Sequence, residues 1–238
     1  ALRALETRVE EVVAASLDEV AEMGAFDLLH DFAMKLPVEL IGDMLGVPRA
    51  DRHLLSPWAV AILGGLEADL TPAQRDEAAK AVDDFKEYLR WLIAERSKNP
   101  LSGEDGEVLS KLIGPDDDGE TLTELELLHN CIFLLNAGHE TTANTVTNGI
   151  DALLRFPDQL DRLRAEPDLI VSAVEELLRF ESSVQLNNRK LTADAEIGGV
   201  AMQKDDYVWL CIGAANRDPA EFSDPDTIDI GRERNTHL

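Results

Sequence analysis

The chain has 238 residues, 45% of them apolar, enough for one large core or two small ones and too apolar for general disorder. Twenty-two basic against 47 acidic residues leave a formal net charge of −25, which repels nucleic acid and anionic membranes alike. The two cysteines, Cys131 and Cys211, lie far apart in apolar company, forming neither a disulfide framework nor a zinc spacing, so a reducing compartment is expected.

The opening "ALRALETRVEEVV" is charged throughout, unlike a signal peptide. No run reaches the roughly 18 uninterrupted apolar residues of a membrane span, so a cytoplasmic protein is expected. With no initiator Met and "RERNTHL" at the other end, both ends read as cuts through a larger protein. Apolar residues at Leu2, Leu5, Val9, Val12, Val13 and Val20 predict a helix over 2–23, interrupted by "GAFD". Leu28 to Leu45 is a second helical region with Pro37 as its boundary or kink. "GVPRADRHLL" opens a third, running to Gly64 and Gly65. Thr71 caps the next helix, Pro72 takes its first position and acids fill its early turns. "NPLSGEDGE" and "GPDDDGE" are loops around a short helix, "VLSKLI".

Thr123 and Glu126 form a capping box for a helix reaching Arg155, roughly 45–50 Å at 1.5 Å per residue. "PDQLDRLRAEP" is a short surface helix, and "DLIVSAVEELLRFES" is another that ends near Glu181. "RKLTADAEIGGVAMQKDDYVWLCIG" reads as short strands with turns at "GG" and "KDD". A Pro/Asp-rich irregular segment closes the chain. Long helices followed by a small strand region give a mainly α (α+β) layout.

The long helix carries an unusual load. Between Cys131 and Ile150 the only charged side chain is Glu140, with His139 taken as neutral. Leu134, Ala137, Gly138, Thr141, Thr145 and Asn148 share one helical face. Small residues at 137 and 138 admit something flat or bulky close to the backbone. Thr141 can bond its own turn's carbonyl, or release it and widen the helix locally. Glu140, if buried, must be hydrated, paired or shifted in pKa; beside a hydroxyl it makes a plausible proton-delivery pair. Buried polar networks also occur for structural reasons alone, and the helix by itself leaves both readings open. "HETTA" is no zinc motif, because Ala143 stands where the second histidine belongs. Further on, Glu176 and Arg179 stand three apart on a helix, a common surface pairing. Arg189 precedes the strands as either a solvated charge or a grip for a carboxylate.

The order "AGHETT", E-x-x-R, an Arg before a short sheet, "AANRDP" and "HL" resembles the cytochrome P450 family, specifically its soluble bacterial branch. "LLRFPDQLDRLRAEPDLI" and "EIGGV" resemble it too, and the likeness spans essentially the whole chain. It implies a cytochrome P450-like helical fold with a small strand region, here one partial domain from a D-helix-like start to the meander before the haem loop. Residues 1–181 would be mainly helical, 182–214 short strands and 215–238 the meander. The resemblance makes Thr141 the alcohol that steers protons to bound dioxygen and Glu140 its acidic partner. Ala137 and Gly138 would border the oxygen pocket of a b-type haem, and Arg189 would bind a haem propionate. Glu176 and Arg179 would hold the core to the meander. Val184, Gln185 and Leu186, within a stretch reaching Asn188, would lie near substrate, and Ser56 to about Ser97 would form the lid helices.

Two departures stand out. The family's thiolate motif, F-x-x-G-x-x-x-C, surrounds neither Cys131 nor Cys211; Cys131 sits on the distal helix, Cys211 reads as a strand residue, and the iron's axial ligand is expected beyond Leu238. The meander lacks the usual Arg of a P-x-R-F-like stretch, having Thr227 and Ile228 in "DPDTIDI". Arg232, Arg234 or the Glu176–Arg179 pair alone would complete the network. The implied activity is that of a haem-thiolate monooxygenase oxidising an apolar small molecule with electrons from a ferredoxin or a flavin-type reductase. These residues alone would be inactive. The alternative is a non-catalytic helical protein that binds a ligand or partner in the same groove.

Overall fold

The computed structural model describes residues 2–67, 69–98, 107–115 and 118–238. Residues 99–106 of the first expected loop (99–107) and residues 116–117 of the second lie outside them; Glu107 belongs to the helix that follows. The chain forms two compact units, 1–143 and 144–238, and the division falls inside one continuous helix.

The first unit begins with α1 (Leu2–Ala21). The helical region expected at 28–45 is two pieces. A π-helical turn spans Leu28–Ala33, and α2 spans Lys35–Leu45. Asp27 accepts the backbone N–H groups of Leu29 and His30 at 2.9 Å each, which caps the turn. The break falls at Met34 rather than Pro37, whose missing N–H costs nothing in the first turn of α2. Gly46 ends α2 with φ of 67°, a left-handed position that favours glycine. Its N–H bonds Asp43 O, and the Val47 N–H bonds Gly42 O, so two terminal carbonyls are satisfied.

"GVPRADRHLL" opens with a 3₁₀ turn, Arg49–Leu54, before α3 (Leu55–Gly64). Helix α4 (Pro72–Lys98) is capped by Thr71, but its first turn holds no acid; Asp76 and Glu77 come a turn later. Trp58 of α3 stacks on Phe85 of α4 with ring centroids 5.0 Å apart. After α5 (Glu107–Ile113) comes α6 (Glu124–Arg155), as long as expected. Its Thr123–Glu126 box is made, with the Thr123 N–H bonding Glu126 Oε2 at 2.8 Å. Phe85, Leu89, Leu128, Cys131 and Leu135 are among the residues that form this unit's core.

In the second unit α7 (Pro157–Ala165) and a 3₁₀ turn lead into α8 (Ile170–Phe180). The strands make two antiparallel pairs. β1 (Asn187–Lys190) pairs β4 (Tyr207–Leu210), and β2 (Ala195–Ile197) pairs β3 (Val200–Met202). Gly198 and Gly199, with φ of 60° and 79°, turn the second pair. The strand region ends sooner than expected: Cys211 is the N-cap of a short α9 (Ile212–Ala215) and not a strand residue. The segment 216–238 has turns but no helix or strand. Its Ile228 and Ile230 join Ala152, Leu153, Ala173 and Phe180 in a second core.

Candidate functional site

Helix α6 stays α-helical through its polar stretch. Thr141 Oγ1 donates to Ala137 O at 2.7 Å, so the hydroxyl bonds its own turn and no widening occurs. Glu140 beside it is half-buried, and Ala137 is exposed. Gly138 faces inward: a Cβ there would lie 3.1 Å from Ile41 Cδ1, so this glycine admits α2. The face expected to be continuous is therefore divided. Thr145 Oγ1 donates to Ser183 Oγ at 3.1 Å, and Asn148 Nδ2 to Glu181 O at 3.5 Å. Sequence reasoning missed Phe133, which is 71% exposed and stands one turn before Ala137. Phe133 and Ala137 are exposed at four-residue spacing, and half-buried Thr141 continues their stripe along this part of α6. An aromatic four residues before the small pair was its signal.

His139 and Cys131 point the other way. His139 is fully buried, and neither ring nitrogen has a partner among the described residues. Burial lowers its pKa, so the ring is neutral. Cys131 is fully buried, and burial pushes its thiol up to about 12.

Glu176 and Arg179 are not the solvated pair their spacing allows. Both are buried, and their bidentate contact has bonds of 2.8 and 2.9 Å. Arg179 also donates to Asn216 O, Pro225 O and Thr227 O, which uses all five of its N–H groups. Its Cζ lies 5.2 Å from the Phe222 ring centroid. Glu176 further accepts the Asp229 N–H at 2.9 Å, Arg232 Nε at 2.9 Å and Asn235 Nδ2 at 3.2 Å. Arg232 is thus the residue that completes the network, whereas among the described residues Arg234 reaches only exposed Glu221. Burial by itself raises the Glu176 pKa; the bonds from Arg179, Asp229 and Arg232 outweigh it and hold the carboxyl below its ordinary value. Asn216, in "AANRDP", is a fully buried member that sequence reasoning left without a role; its side chain brackets Leu238 through two hydrogen bonds.

Arg189 is exposed on β1 and, among the described residues, donates only to neutral oxygens, Asn187 Oδ1 at 2.8 Å and Asn188 O at 2.7 Å. Val184, Gln185 and Leu186 are exposed just before that strand. Gly213 of α9 leaves room for the Gln185 amide, since a Cβ there would lie 2.1 Å from Gln185 Oε1. Gln185 Nε2 donates to Ser182 O at 2.5 Å, which fixes the segment's turn. Among the described residues no cluster of three or more His, Cys, Asp or Glu side chains could hold a metal ion, and no helix is long and apolar enough to cross a membrane.

A family model described as Cytochrome P450 matches residues 68–235. The chain is 38% identical over 229 residues to the biotin biosynthesis cytochrome P450 of Bacillus subtilis (strain 168), covering 96% of this chain and 56% of the relative. It is also 38% identical over 231 residues to the vitamin D(3) 25-hydroxylase of Pseudonocardia autotrophica, covering 96% of this chain and 55% of that one. Its structure matches that of P450BioI in complex with hexadec-9Z-enoic acid ligated acyl carrier protein, with a TM-score of 0.91 and 36% identity. That match covers 99% of this chain and 60% of the other. The chain therefore spans little more than half the length of the relatives it matches.

Proposed function

Because the chain belongs to the cytochrome P450 family, we propose that the whole protein is a haem-thiolate monooxygenase acting on an apolar small molecule. One oxygen atom of dioxygen would enter the substrate and the other would leave as water, with two electrons and two protons supplied from outside. The observation that carries this reading is the exposed pair Phe133 and Ala137 of α6, in line with half-buried Thr141 and with half-buried Glu140 beside it.

The residues present suit the distal side of a haem. Exposed Phe133 and Ala137 of the first unit offer apolar and small contacts to a flat ring. Taken by itself in the second unit, Arg189 has no acidic partner among the described residues and is free to bind a carboxylate. They do not supply the thiolate. Cys131 is buried away from the stripe with its thiol protonated, and the family's thiolate motif surrounds neither cysteine. The thiolate would come from residues outside these 238, which alone would neither hold haem tightly nor turn over. When bound, haem would supply dioxygen activation and the oxidising power.

The protein's own share is positioning and proton delivery. Thr141 Oγ can accept a hydrogen bond from water or an acid while it donates to Ala137 O, and rotation about χ1 redirects its own proton. Half-buried Glu140 reaches solvent and would reload that hydroxyl. Val184, Gln185 and Leu186 would meet substrate. Of the two relatives matched at 38% identity, one is named for biotin biosynthesis and the other as a vitamin D(3) 25-hydroxylase, so the likeness does not choose a substrate. We place the protein in the cytoplasm, with a ferredoxin or flavin-type reductase as donor and the 238 residues as part of one domain.

The whole protein, reduced under carbon monoxide, should show the Soret band of a thiolate-ligated haem, and these residues alone should not. A whole protein without that band would return the groove to the non-catalytic, ligand-binding alternative. Thr141→Ala should lower product formed per electron pair on the order of tenfold, with peroxide released instead. Unchanged coupling would remove Thr141 from the proton path.

A further inference from the structure

A cavity of about 420 Å³ opens in the first unit where the end of α2 and the following turn meet α1 and α4. Its walls carry Arg8, Arg49, Arg52 and Arg96 against two acids, Glu11 and Asp43. This is a local excess of positive charge in a chain whose net charge is −25.

Two of the four arginines are spoken for. Arg8 Nε donates to Asp43 Oδ2 at 2.6 Å, and its Nη1 to Glu11 Oε2 at 3.2 Å. Arg52 is buried; it bonds Asp43 Oδ1, Glu39 Oε2, Glu39 O and, from Nε, Val47 O. Gly42 makes room for it, since a Cβ there would lie 2.8 Å from Arg52 Nε. Both Asp43 oxygens are consumed in this way.

The other two lack a counter-charge among the described residues. Arg49 is exposed at the first position of the 3₁₀ turn, with no hydrogen bond or ion pair. Arg96 is half-buried; it donates from Nη2 to Gly46 O, and its Nε is buried without an acceptor. Leaving a guanidinium short of acceptors is costly, and forked N–H donors match the oxygens of a tetrahedral oxyanion. The volume lies in the range of small-molecule sites, about 300–1,000 Å³, which is more than a bare ion needs.

We propose that this cavity is an anion site for a phosphate monoester group, held by Arg49 and Arg96 and oriented by the Arg8–Asp43–Arg52 lattice behind them. The site is separate from the α6 stripe and does not depend on the monooxygenase reading. Free phosphate and a phosphorylated small molecule share the recognising group, and the test tells them apart.

The experiment titrates the whole protein with inorganic phosphate and, separately, with a nucleoside monophosphate, by calorimetry at ionic strength held constant with chloride. Saturable one-to-one binding should weaken at least tenfold in the double variant Arg49→Ala/Arg96→Ala. It should persist in Arg75→Ala, a surface arginine of α4 away from the cavity. Arg49→Lys/Arg96→Lys, which keeps the charge, should lose less, so that a folding defect in the alanine pair is separated from loss of the site. Tighter binding of the monoester assigns the group to a small molecule; equal binding assigns it to the free ion. No saturable binding of either probe, or binding untouched by the alanine pair, overturns the proposal.

Discussion

Glu176 accepts five hydrogen bonds from four residues, and Arg179 spends every N–H it has. Breaking such a pair leaves one buried charge uncompensated. Glu176→Gln should therefore cost about 3–5 kcal/mol in urea unfolding. Arg232→Ala should cost about 1.5–3 kcal/mol, the worth of a bond to a charged group, and Arg234→Ala less than about 0.5 kcal/mol. Equal losses at 232 and 234 would contradict the geometry. The Glu176 carboxyl is held below its unfolded value, so its contribution is present above the unfolded pKa of about 4.3 and is lost as pH falls through the folded value. Stability should drop in that acid window, and Glu176→Gln should flatten the drop. His139 poses the reverse problem, a neutral ring with two unsatisfied nitrogens. His139→Leu should raise stability by about 1 kcal/mol at pH 7. Because burial depresses its pKa, the wild-type protein should lose stability as pH falls from about 6.5 towards the folded value, where the unfolded ring takes up the proton first. Denaturant midpoints at pH 7 and pH 5.5 read both effects, and a destabilised leucine variant would mean that the ring is needed where it stands.

At the scale of elements, the helix starts were readable because caps are local. Thr71 with Gln74 and Thr123 with Glu126 both close their boxes. Thr123→Ala should cost about 1 kcal/mol, measured as a shift in the urea midpoint; no shift would mean that tertiary packing alone sets the start of α6. The break at Met34 was not readable. The Met34 N–H bonds Leu29 O, five residues back, and the extra residue in that turn offsets the register between the π-turn and α2. Pro37 carried the visible warning, yet it lies where a helix tolerates proline. Cys211 was misplaced for a related reason. β4 stops at Leu210 because pairing with β1 ends there, a limit set by the partner strand and not by the apolar run "VWLCIG".

Over the whole molecule, 47 acidic against 22 basic residues mean self-repulsion, so the melting temperature should rise as sodium chloride screens it from about 10 to 150 mM. A flat response would show that the acids are already locally compensated. The sequence by itself determined the helical layout, the caps, the long polar helix and the family, because periodicity, turn chemistry and motif order are properties of neighbouring residues. Only the tertiary structure decided which face of α6 is open, with Phe133 outward and Gly138 turned onto Ile41. It also chose Arg232 over Arg234 as the third member of the Glu176 network, a distinction between two arginines two positions apart. Burial and hydrogen-bond partners come from residues far away in the chain: the segment that returns Asp229, Arg232 and Asn235 to Glu176 lies more than fifty residues on, and no local pattern records where it lands.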